Sequence, residues 1–138
     1  ASVLEQAGGT RLFDSSQVPD TIFDTLIVTE AAARRKPGAV RDLVYGYFRG
    51  QHHLVRSMHD AVYRVATRQG ITPDSVRRSL ATVMLPELAA NQRYLAHHGR
   101  IEVVAKRLSG ILVREGLMAS HPVYERLCDP SFLPRSLS

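Results

Sequence analysis

The stretch Gly8-Gly-Thr-Arg-Leu-Phe-Asp-Ser-Ser16, then Val18-Pro19, then Asp24-Thr-Leu-Ile-Val-Thr29, then Lys36-Pro37-Gly38-Ala39-Val40 decides how the chain is read. Residues 11–13 read as a short strand, with Asp14-Ser15-Ser16 as its polar exit. Pro19 lacks a backbone donor and biases Val18 away from helix, so 18–20 reads as a turn or an extended crossing. Thr21 to Thr29 is rich in β-branched residues, and Leu26-Ile27-Val28 is unbroken. Such a run suits a strand covered on both faces. After a short Ala/Arg run, Pro37 fits the first position of a long helix. Strand, crossing, strand and helix in that order predict an α/β chain.

Working outward, residues 1–9 read as the end of a helix stopped by Gly8-Gly9. Beyond Pro37, apolar residues recur at Val40, Leu43, Val44, Tyr47, Phe48, Leu54, Val55, Met58, Val62, Val65 and Ala66. That spacing lays one stripe against a core. A break is predicted at Ser57, then a helix from about His59 to Gln69 ended by Gly70, and a third begun by Thr72-Pro73. Pro86 opens a helix expected to run to Gly99. Ile101, Val104, Ala105, Leu108, Ile111 and Leu112 mark the last long one, stopped by Gly116. The tail holds Pro122, Pro130 and Pro134 and should run extended apart from a turn near Val123–Leu127. One strong strand and one weak one cannot satisfy their own backbone groups, so the remaining sheet is expected from elsewhere.

Taken together, the Leu12-Phe-Asp-Ser-Ser16…Pro19 segment, the Gly116-Leu117 helix stop and Asp129-Pro-Ser-Phe-Leu-Pro134 resemble the C-terminal half of ABC-importer substrate-binding proteins. The group is the one that handles nitrate, sulfonates, taurine and thiamine precursors. The resemblance implies a type II periplasmic-binding-protein-like fold, present as a helix-rich C-terminal fragment with one or two strands. Residues 1–16 would end lobe two, 17–20 would be a hinge crossing, and 21–138 would complete lobe one. It implies capture of a small anionic or heteroaromatic nutrient by an open–closed equilibrium, with delivery to an ABC permease and no covalent chemistry. The implied partners are therefore that ligand, the permease and the missing N-terminal half. The implied address is periplasmic, or lipid-anchored outside the cytoplasm. By position, Ser15, Ser16, Thr21, Phe23 and Asp24 would border the ligand cleft, although ordinary turn and strand-end roles account for them equally well.

With 138 residues, 44% of them hydrophobic, the chain has material for one core. No apolar run reaches the roughly 18 residues of a membrane span. The 18 Lys and Arg against 13 Asp and Glu give a net charge of +5. That balance admits nucleic acid, anionic lipid or an anionic ligand. The arginines, however, are scattered along helical faces (Arg41, Arg49, Arg56, Arg64, Arg77, Arg78, Arg107, Arg114), which is the pattern of a solvated surface. Cys128 stands alone and cannot pair within the chain.

Candidate chemistry is sparse. His52 and His59 lie two helical turns apart, about 10 Å, too far to share one ion. His97 and His98, if helical, point in different directions, so no metal site and no cofactor are expected. No nucleophile elbow, phosphate loop or dinucleotide fingerprint occurs, and an enzyme is not expected. An enzyme of the thiamine-pyrimidine-synthase type would need histidine and cysteine residues from an N-terminal half. The sharpest alternative is a helix-turn-helix regulator over Gly70 to Leu80, where Ala66, Gly70 and Val76 match the small–glycine–apolar spacing and Arg77-Arg78 fall on the second helix. An ordinary helix junction needs the same residues, and no nucleic-acid partner is expected.

Overall fold

A computed structural model describes residues 4–5, 7–19, 21–125 and 127–137. Its α-helices are α1 (Glu30–Arg35), α2 (Pro37–Arg56), α3 (Met58–Gln69), α4 (Pro73–Leu80), α5 (Leu88–Leu95) and α6 (Arg100–Arg114). Single 3₁₀ turns occupy Ser15–Gln17 and Pro130–Phe132.

Local chemistry accounts for most of these boundaries. The Thr29 side chain accepts from the Ala32 amide and opens α1, a helix not anticipated from the Ala/Arg run. Pro37 takes the first turn of α2, and Ser57 separates α2 from α3 without a capping side-chain bond. Gly70 ends α3 at φ 65°, the left-handed region that glycine enters without strain. Thr72 then caps α4 by accepting from the Ser75 amide at 3.2 Å, with Pro73 in the first turn. At the end of α6, Gly116 sits at φ 71°; its amide donates to Val113 and the Leu117 amide to Leu112, which closes a Schellman motif. The Gly8 amide donates to Glu5 and the Gly9 amide to Leu4, the turn expected there, although residues 1–3 and 6 lie outside the described residues.

The α/β expectation is corrected. Among the described residues there is no strand and no sheet, so the chain is all-helical and a strand-containing type II binding-protein fragment is not what this structure shows. Residues 11–13 and 21–29 carry no regular structure. A strand exists only through a partner, and neither segment has a ladder to join within this chain. Phe23 is half-buried through an edge-on contact with Tyr94 of α5, ring centroids 5.8 Å apart. Ile22, Leu26 and Ile27 stay 69%, 60% and 85% exposed.

The principal core lies where α3 meets α4. Val62, Ala66 and Val76 are buried together, with Leu80 packed against them. Val65, expected on that face, is exposed instead. Among the described residues, Val40 and Phe48 of α2, Ala61 of α3 and Ala90 of α5 are the other buried apolar positions. On α6 the buried residues are Glu102 and Ser109, while Val103, Leu108 and Ile111 remain exposed. The accessible surface is 11011 Å². A compact monomer of this mass exposes about 7,100 Å². The helices therefore form with much of their apolar surface uncovered.

Candidate functional site

Three places carry enough chemistry to be weighed as sites. The first is the set read from sequence as a cleft border. Asp14 accepts from the Ser16 amide and hydroxyl and from Arg11, and these bonds, the Ser16 hydroxyl foremost, hold its carboxyl down at about 2. Ser15 and Ser16 are exposed in this turn. Thr21 donates its hydroxyl to the Pro19 carbonyl at 3.2 Å. Asp24 is exposed, and Phe23 alone packs, on Tyr94. None of the five lines the cleft between α2 and residues 131–135 or the cavity beside Glu102.

The second is the α3–α4 junction. Residues 70–72 join the helices, with Ala66 and Val76 buried across from each other and Gly70 left-handed, as a helix-turn-helix requires. Its basic pair is already engaged. Arg77 contacts Asp74 at 2.9 Å, and Arg78 donates to the Ser75 hydroxyl at 3.2 Å. Asp74 stands in the first turn of α4, where a phosphate would have to approach.

The third is the turn between α5 and α6. Helix α5 stops at Leu95, four residues earlier than expected, which takes His97 and His98 off the helix. Their rings then lie 3.8 Å apart, a correction to the expectation that they diverge. His98 adopts φ 57°, an uncommon conformation for a residue with a side chain. Glu102, three residues past the Gly99 N-cap, reaches back in the manner of a capping box and accepts from the His98 amide at 2.9 Å. Lys106 donates to the other carboxylate oxygen at 2.6 Å. Lys106 first and the His98 amide second hold the buried Glu102 carboxyl at about 2. A cavity of about 170 Å³ opens beside it, walled in part by His97, Glu102, Tyr124 and Cys128. Burial, and then the Glu102 charge, push the Cys128 thiol up. The sequence signal for this site was the glutamate three residues after a glycine, which marks a helix start and so a break at the histidines.

A larger cleft of about 440 Å³ separates the N-terminal part of α2 from residues 131–135, with the Arg41 guanidinium 5.7 Å from the centre of the Phe132 ring.

No family model, no curated protein and no solved structure matches this chain.

Proposed function

We propose that this chain is part of the substrate-binding component of an ABC import system, and that an N-terminal half of the same polypeptide covers its open apolar surface. The observation that carries the reading is the uncovered run Ile22, Leu26, Ile27, directly downstream of the Leu12-Phe-Asp-Ser-Ser16 segment that resembles such proteins. The accessible surface exceeds that of a compact monomer by roughly 3,900 Å². Leu108, Ile111 and Val103 on α6 add to the same deficit. The all-helical architecture lends no support to the two-lobed frame, so the reading rests on the segment resemblance and on that unburied area. The ligand would be a small anionic or heteroaromatic nutrient, passed to a permease.

The test is calorimetry against nitrate, alkanesulfonates, taurine and aminopyrimidines. Residues 1–138 alone should give no saturable heat, and the polypeptide extended upstream should bind one of these ligands. Micromolar binding by residues 1–138 alone would place the whole site within them; no binding by the extended polypeptide would sink the transport reading.

One observation favours a second reading, a helix-turn-helix regulator: Ala66 and Val76 are buried together across a left-handed Gly70 at the α3–α4 junction. Against it stand the Arg77–Asp74 pair and the carboxylate at the entry to α4. The transport reading ranks first because the regulator leaves residues 21–28 without a role.

A further inference from the structure

Histidine pairs on a protein surface are common, but His97 and His98 are held against a carboxylate that is fixed from the other side. One ligand atom from each of His97, His98 and Glu102 lies within 4.8 Å of the other two. His98 Nδ1 is 3.2 Å from Glu102 Oε1, and His97 Nδ1 is 3.8 Å from Oε2. Bonds of about 2.0–2.2 Å in a tetrahedral zinc site put neighbouring ligand atoms about 3.3–3.6 Å apart, so rotation of the two exposed rings completes the set.

We propose that His97, His98 and Glu102 form a binding site for a divalent ion of the zinc type. Two imidazoles and one carboxylate are the donor set of a borderline transition metal, and calcium or magnesium would call for oxygen ligands throughout. Glu102 is buried, and Lys106 fixes its orientation from Oε1, the part that an outer-shell partner plays in metal sites. The metal takes the second lone pair of Oε2, which already accepts from the His98 amide at 2.9 Å, and Lys106 keeps Oε1. Both histidines are exposed, which leaves the ion an entry path. The fourth position opens on the adjoining cavity, whose volume of about 170 Å³ admits a water. This site is independent of the transport reading and holds whatever covers the apolar face.

The experiment is zinc calorimetry on the chain, with visible absorption of the cobalt-substituted form as a report on geometry. One equivalent of zinc should bind, and cobalt should give the intense bands of a tetrahedral site. His97→Ala and His98→Ala should each weaken binding at least about tenfold, no less than the loss of an outer-shell partner causes, and the double variant should abolish it. Because both side chains are exposed, these variants keep the helical circular dichroism of the parent, whereas Glu102→Gln removes a buried anchor. His52→Ala/His59→Ala should leave binding unchanged. No saturable zinc binding, or binding that survives H97A/H98A or disappears with H52A/H59A, would overturn the proposal.

Discussion

Replacing Val76 by alanine tests whether the α3–α4 junction is what holds this chain together. Val76 is 2% exposed and meets Val62 and Ala66, which are 0% and 4% exposed. The substitution deletes two methyl groups, worth about 0.8 kcal/mol each in lost transfer free energy. Leu80 borders the site and is only partly buried, so it can settle inward and fill some of the space. A residual void of some 25 Å³ would add about 0.6 kcal/mol. The expected loss is therefore about 2 kcal/mol, or a fall in Tm of about 6–10 °C for a chain of this length. Urea titration followed by far-ultraviolet circular dichroism measures it, with an unchanged m-value showing that the unfolded state is unaffected. A loss below about 0.5 kcal/mol would mean that α3 and α4 do not share a core, and the burial argument would fail with it.

The Arg77→Ala/Arg78→Ala double variant should cost under about 1 kcal/mol per residue, because exposed ion pairs contribute little. If the junction only joins helices, neither parent nor variant retains random duplex in a low-salt gel shift. Retention that the double variant loses, and that weakens by close to one logarithmic unit per phosphate contact per tenfold salt, would promote the regulator instead. Glu102 predicts the acid limb of stability. Its carboxyl titrates at about 2 in the folded chain against an ordinary 4.5, so its contribution is complete above about 4.5 and is lost as pH falls toward 2. With a chelator present, Glu102→Gln should make the Tm profile shallower over that window, Asp14 still contributing, and parallel profiles for parent and variant would contradict the assignment.

Helix positions were legible in the sequence because their stops and starts are chemically explicit. Pro37, Gly70, Thr72-Pro73 and Gly116 each restrict the backbone locally, and the structure uses all four as read. Residues 21–29 misled for the opposite reason. β-branched composition records suitability for a pleated, half-buried surface, and whether a strand forms depends on neighbours that local sequence does not contain. Thr29 and Glu30 carried a readable helix start that the apolar run before them obscured. The histidine site is illegible in the sequence because Pro86 to Gly99 reads as one helix, whereas α5 ends at Leu95 and leaves His97 and His98 free to pair. The five cleft-border residues were placed by position in a resembling chain and not by any chemistry they share, so local sequence gives them no common site.

The main helix contacts join chain neighbours: α1 with α2, α2 with α3, α3 with α4, and α5 with α6. The 3₁₀ turn at Pro130–Phe132 packs back on α2 across most of the length of the chain. Neighbour packing makes assembly sequential: each pair docks as it leaves the ribosome without waiting for distant chain, and ordering is fast because little loop entropy is lost. It also makes the chain open one joint at a time, with the segment between α4 and α5 as a natural parting line. The Gln51 amide, which donates to the carbonyls of Leu85 at 2.6 Å and Pro86 at 3.1 Å, pins that segment to α2, and with the Phe23–Tyr94 contact and the Pro130–Phe132 turn it ties the two halves of the chain together.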